Sequence, residues 1–277
     1  MQVPAAEVAI IGGSTTFNLD FPQELDLPYV KVLAQDLVFT TPYGDSPSFR
    51  LLEVKGEFKT RNVLCCRMHG WRQGVTRANA SRQIFWVFRE AGVKAVLAEG
   101  GVGSVNHLLD PRDLIIPDDY LDQSMRKDVG LDDRYLLVMR DALCNDLRTL
   151  LEHEAAAFKD YRLFKRGIYA VTDGRHFESP AEVRHLAIAG ADVVGQSICP
   201  EVYLAREIGA CYAGIYIVVN YGEGVVQPWQ HKELEEIFYS EGYTIGKIIL
   251  GAIARIPANL TCQCQSLRKE TLLKGIY

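Results

Sequence analysis

No stretch of these 277 residues is apolar for long enough to span a bilayer; the best candidates, such as 245–256, are too short or too interrupted. No positively charged leader precedes an apolar run in Met1–Glu7, so no signal peptide is expected and the chain reads as cytoplasmic, with no membrane partner. Clustered positive charge is scarce. Lys and Arg number 30 against 35 Asp and Glu, giving a net charge of −5, and the short cluster Arg162, Lys165, Arg166 reads as solvated surface. A nucleic-acid partner is therefore not expected. Cysteine occurs seven times but never with the two-residue spacing of a zinc-ligand hairpin, so spacing gives no metal site. Linkers, low-complexity runs and internal repeats are missing too. The chain reads as one domain over 1–277, with a core of about 8–256 and a cysteine-containing tail, 257–277.

What is present is an alternation of strands and helices, the pattern of an α/β layer structure. Val8–Ile11, Val30–Phe39, Phe49–Val54, Val63–Arg67, Val93–Ala98, Asp113–Ile116, Gly167–Thr172 and Cys211–Val219 read as strands. Thr76 caps a helix that Gly92 stops, and Asp141–Lys159 reads as a second helix. Ser179-Pro180-Ala181-Glu182 is a capping box with proline at the first helical position. A short helix follows Pro200 and stops at Gly209. An amphipathic helix covers about 230–256, with a break at Gly242.

Four small-residue loops each follow a strand: Gly12–Thr15, Met68–Gly70, Gly100–Ser104 and Gln196–Ser197. Small residues let backbone N–H groups approach an anion closely. Ser14, Thr15, Ser104 and Ser197 add hydroxyls, and His69 adds an imidazole. Gly12-Gly13 lacks the lysine of a P-loop and the third glycine of a dinucleotide fingerprint.

In this order the segments resemble the trimeric-class purine nucleoside phosphorylases, in particular the 5'-methylthioadenosine and methylthioinosine phosphorylase branch. The resemblance rests on Ile10–Ser14, Thr41–Gly44, His69-Gly70, Ile84–Trp86, Gly101–Ser104, Gly167–Tyr169, Arg175–Ser179, Gly190–Gly195 and Pro200–Val202. It implies a mixed, partly barrel-like sheet flanked by helices and a homo-oligomer, trimer or hexamer. It also implies cleavage of a purine N-glycosidic bond by inorganic phosphate, with no other cofactor. By the same resemblance Ser14, His69, Gly100, Gly101 and Ser197 match phosphate-contacting positions. Gln196 matches a ribose contact, Phe177 the aromatic that packs on the base, and Asn220, Tyr221 and Gly222 the base-reading segment. Asn220 and His69 are the expected catalytic pair.

The departures are specific. The family's arginine before the histidine is Met68 here, with Arg67 one position earlier; a one-residue shift on a strand turns a side chain to the opposite face unless a bulge restores it. Gly100 replaces a threonine donor, and Glu99 stands beside it. Asn220 and Gly222 replace two aspartates that grip adenine. A carboxamide both donates and accepts, which leans the reading toward 6-oxopurines. Two further readings stay open: a phosphate-independent nucleosidase using Glu99 or His69, and a nucleoside-binding homologue without turnover. The tail Cys262–Leu267 resembles the cysteine-rich end of archaeal methylthioadenosine phosphorylases, which implies disulfides among Cys144, Cys211, Cys262 and Cys264. An unstrained bridge over such a long loop contributes about 4 kcal/mol in the chain-entropy model.

Overall fold

Val8–Ile11 is buried on both faces, as a central parallel strand must be. In the computed structural model, which describes residues 2–132 and 134–272, this strand lies between Thr60–Cys66 and Ala95–Ser104 and runs parallel to both. The three belong to an eleven-stranded mixed sheet. On one side the sheet continues through Phe49–Lys55 to Val30–Leu37, antiparallel throughout. On the other, Ala95–Ser104 pairs in parallel with the long strand Cys211–Tyr221. Leu114–Ile115 and Leu163–Phe164 extend that edge.

Strand alternation sends successive side chains to opposite faces, and two cores result. Ala9 and Ile11 pack in one with Phe85, Phe88, Val202 and Ala205 from the helices Arg77–Ala91 and Ile198–Ile208. Val8 and Ile10 pack in the other with Leu147, Leu151, Ile245 and Ile249 from Asn145–Ala155 and Gly242–Ala254. Thr76 caps its helix by accepting from the Asn79 amide, and Gly92 ends it at φ 80°. The Ser179–Glu182 capping box forms in both directions. The C-terminal helix is broken where expected, into His231–Ser240 and Gly242–Ala254. Among the described residues no helix is long and apolar enough to cross a membrane.

Several expected boundaries move. The helix read as Asp141–Lys159 is shorter, Asn145–Ala155, because its flanks turn back on themselves: Asp141 is left-handed at φ 48° and Ala157–Tyr161 bond within a turn. Cys211–Tyr221 carries Asn220 and Tyr221 inside the strand, past a register shift between Val218 and Asn220. Glu99–Ser104, read as a loop, continues the strand Ala95–Ser104. Glycine lets it do so: a Cβ on Gly101 would lie 2.9 Å from Cγ1 of Val219 on the neighbouring strand.

That last change locates the ligand cleft. Val8–Ile11 ends opposite Ala98. Val193–Gly195 then joins the same edge antiparallel, at Gly103 and Ser104, and carries Ile168–Val171 and Asp119–Asp122 with it. The sheet therefore splits at residues 99–102. Ligands bind outside the carboxyl ends of strands at such switch points.

Candidate active site

A cavity of about 250 Å³ opens at the split. One end is lined by Ser14, Met68, His69, Gly100, Gly101 and Ser197, the other by Phe177, Glu178, Asn220, Gly222 and Trp229, with Gln196 also on its wall. The fold thus gathers nearly every residue expected from sequence. The hydroxyl residues Thr15 and Ser104 do not line it, Ser104 donating instead to the Asn106 carbonyl at 2.6 Å, and two expected contact residues also fall outside. Arg67 is exposed, lines a neighbouring depression and donates to the Leu19 carbonyl. The strand ends at Cys66 and no bulge turns Arg67 back, so the cleft gains no guanidinium from it. Tyr221 points the other way, its hydroxyl donating to Asp110 at 2.8 Å.

His69 sits in a strained turn. Met68, His69 and Gly70 have φ of 49°, 52° and 68°, in the left-handed region where non-glycine residues cost about 1–3 kcal/mol each. The turn is fixed by the His69 amide donating to the Gly12 carbonyl at 3.0 Å. The ring is buried, and its Nδ1 meets Glu201 Oε1 at 2.6 Å. Burial disfavours the charged ring, but the charge and hydrogen bond of Glu201, with a contribution from Glu99, outweigh it and raise the pKa above the usual histidine value. Glu201 is itself held by the Tyr212 hydroxyl at 2.8 Å. The charged form of the ring is therefore favoured at this end of the cavity.

The backbone amides around it are partly engaged. Gly101 N–H donates to Ser14 Oγ at 3.1 Å. Gly13 N–H donates to Glu99 Oε1 at 2.5 Å, and Thr16 adds its hydroxyl at 2.7 Å and its amide at 3.2 Å. Glu99 is fully buried and its Oε2 has no partner. A carboxylate thus occupies the amides of the first loop. Glycine at 13 is required for this, since a Cβ there would lie 2.2 Å from the Glu99 carbonyl. Ser197 Oγ is 3.0 Å from the Tyr169 hydroxyl.

The opposite end is aromatic and acidic. Phe177, half exposed, packs on Trp229 with ring centroids 4.9 Å apart. Asn220 is buried; its Nδ2 donates to the Tyr221 carbonyl at 2.7 Å, leaving a second N–H, and its Oδ1 has no partner. A Cβ on Gly222 would lie 2.8 Å from the Ser104 carbonyl, so no acid fits there without backbone movement. Glu178 is buried, with one oxygen accepting from the Thr172 hydroxyl at 2.6 Å. Gln196 is oriented by Arg77, which donates to its Oε1 at 2.8 Å while lying over the Trp71 ring.

Sequence reasoning gave no role to Glu178, Glu201, Trp229 or Arg77. Glu178 and Glu201 stood inside the segments carrying the family resemblance, and an acid directly after Phe177, the aromatic expected to pack on the base, was the available signal. Trp229 and Arg77 had none, because they reach the site from other segments. Far from the cleft, at the start of the strand that ends in Asn220, the four expected cysteines Cys144, Cys211, Cys262 and Cys264 come together as free thiols.

An α/β molecule with a small-residue, histidine-bearing end and an aromatic, amide- and acid-lined end across a split sheet has the layout of a nucleoside-processing enzyme. The family model of the phosphorylase superfamily matches residues 8–254, and the chain belongs to that superfamily. It is 31% identical over 277 residues to the probable 6-oxopurine nucleoside phosphorylase of Dictyoglomus turgidum, covering 97% of this chain and 99% of that one. It is 31% identical to the 6-oxopurine nucleoside phosphorylase of Pyrococcus furiosus, covering 95% and 97%. The probable S-methyl-5'-thioinosine phosphorylase of Methanothermobacter thermautotrophicus is 30% identical over 230 residues, covering 81% and 78%. In fold the chain is similar to methylthioadenosine phosphorylase from Schistosoma mansoni in complex with adenine, with a TM-score of 0.76, 21% identity and coverage of 94% and 96%. These likenesses bear out the mixed α/β fold and the family expected from the motifs.

Proposed function

We propose that this protein cleaves purine nucleosides with phosphate, preferring 6-oxopurine bases, and releases free base and a ribose 1-phosphate. Relatives carrying the 6-oxopurine and methylthioinosine names support the reaction class. The observation that carries the base preference is the pair Asn220 and Glu178 at one end of the cleft. A 6-oxopurine presents an N1–H donor and an O6 acceptor. The Glu178 carboxylate accepts from N1–H and repels the N1 lone pair of adenine. The second N–H of Asn220 donates to O6, and its unpartnered Oδ1 accepts from N7 once N7 is protonated.

In the reaction the C1'–N9 bond breaks and its electron pair goes to the purine, which takes up a proton. The phosphate oxygen forms the new bond to C1'. An anion beneath the ribose stabilises the developing cation before it attacks. Ser14, Gly100, Ser197 and the His69 imidazolium supply that end, and Met68 and Gln196 border the sugar. A chain assayed with inosine, adenosine and their 5'-methylthio forms is expected to release hypoxanthine faster than adenine; the reverse order overturns the base assignment.

One observation favours a second reading. Glu99 places a buried carboxylate in the first loop, with one oxygen unpartnered. Such a group repels phosphate and activates water instead, giving hydrolysis to free ribose. Homo-oligomerisation, as a trimer or hexamer, and a cytoplasmic location complete the proposal. Exposed Met125, whose amide donates to Asp173, and half-exposed Phe177 lie on or against the segment 173–177 at the cleft rim, which suits a neighbouring chain covering that rim. Light scattering in solution checks the assembly.

A further inference from the structure

The four cysteines at the far end of the Asn220 strand come from three segments of the fold. Cys144 directly precedes the helix Asn145–Ala155, Cys211 begins the strand Cys211–Tyr221, and Cys262 and Cys264 follow the last helix. Their Sγ atoms all lie within 4.8 Å of one another. Cys211 and Cys262 approach to 3.2 Å, longer than the S–S bond of about 2.05 Å. Tetrahedral zinc with Zn–S of about 2.3 Å sets S···S edges of about 3.8 Å, within the span of this cluster.

Separate networks hold the three segments in place. The Cys144 amide donates to the Tyr212 carbonyl at 2.7 Å, tying the helix start to the strand. Asp146 accepts from the amides of Thr261 at 2.6 Å and Cys262 at 2.9 Å, tying the tail to the same helix. Arg206, almost wholly buried, donates to the Cys264 carbonyl at 3.1 Å and to the Asp141 carbonyl at 2.9 Å. Its guanidinium, together with the helix N-terminus behind Cys144, offsets the negative charge that four thiolates around a divalent ion retain. Cys211 and Cys262 also border a surface depression shared with Lys59, Arg61 and Lys94, which gives the ion an entry path.

We propose that Cys144, Cys211, Cys262 and Cys264 form a tetrathiolate site for a structural zinc ion that clamps the C-terminal tail to the sheet and the second helix. Binding exchanges the thiol protons for the metal and involves no redox change. The usual zinc-hairpin spacing is absent because the ligands are brought together by the tertiary fold rather than by a local turn. The site is distinct from the cleft, lying a strand of about 30 Å away from Asn220.

Protein purified under nitrogen with reductant and no chelator is expected to contain about one zinc ion per chain. Replacing the zinc by cobalt should give the thiolate charge-transfer band and intense visible bands of tetrahedral Co(II)–sulfur coordination. Cys262→Ser combined with Cys264→Ser should lose the metal and lower Tm while leaving kcat at ambient temperature unchanged. Reduced wild-type chain that binds neither zinc nor cobalt overturns the proposal, and this arm does not depend on the variant folding. So does metal that stays bound in the double variant, or Cys–Cys bridges among these four residues that persist in reductant with zinc supplied.

Discussion

The two ends of the cleft are finished differently. At the proposed base end, polar groups line the cavity with capacity unused: Asn220 keeps an unpartnered Oδ1, and Thr172 holds one oxygen of Glu178. At the anion end the donors are already spoken for. Glu99 holds the Gly13 and Thr16 amides, Ser14 Oγ holds the Gly101 amide, and Arg67 faces another surface. On the proposed reading, base recognition rests on side chains with unused hydrogen-bonding capacity, whereas anion binding rests on His69, two serine hydroxyls and what backbone remains. Under that proposal, the difference teaches that substrate identity is written in this site more strongly than the co-substrate.

Breaking the anion end should be costliest where charge is buried. Glu201→Ala leaves the His69 ring and the Tyr212 hydroxyl without their partner, and is expected to destabilise the fold by about 3–5 kcal/mol in denaturant titration. Glu201→Gln keeps the shape and removes the charge. Because the folded His69 pKa is raised, its imidazolium contributes stability fully below the unfolded value of about 6.5. That contribution, and the attraction for an anion, are lost as pH rises through the higher folded value. In Glu201→Gln the alkaline limb of the phosphate-dependent rate should move to lower pH; an unmoved limb removes His69 from anion binding.

At the base end, Asn220→Ala is expected to lower kcat/KM for inosine about 10²–10³-fold, the scale for removing one transition-state donor. Asn220→Asp should move activity toward 6-aminopurines. Glu178→Gln should narrow the inosine-over-adenosine preference by about 10–100-fold, since a hydrogen bond to a charged group contributes roughly 1.5–3 kcal/mol. Steady-state kinetics on both nucleosides reads these directly. The smallest effect sharpens the contrast from the other side. A Cβ on Gly100 would meet Tyr216 at 3.6 Å and His69 Nε2 at 3.8 Å, ordinary contact distances. Gly100→Thr therefore fits, and its added hydroxyl is expected to lower the KM for phosphate about tenfold, as one charge-assisted hydrogen bond would.

Much of this was legible in the chain. The capping box at Ser179, the stop at Gly92 and the apolar run Val8–Ile11 carry local signals that tertiary contacts do not override, and the ordered small-residue loops placed the cleft. Directions were harder. Arg67 and Met68 differ by one position, and only the strand end at Cys66 and the left-handed turn after it decide which one faces the ligand. Glu99 reads as a loop acid, yet strand pairing carries it into the core. The cysteine cluster draws on three distant segments, a proximity no spacing rule reports.

The most direct test of the central claim is base release from inosine with and without phosphate, with the sugar product identified. The account predicts hypoxanthine only when phosphate is present, with ribose 1-phosphate formed in equal amount. Hypoxanthine released at the same rate without phosphate, with free ribose as the product, contradicts it and makes Glu99 the group that activates water.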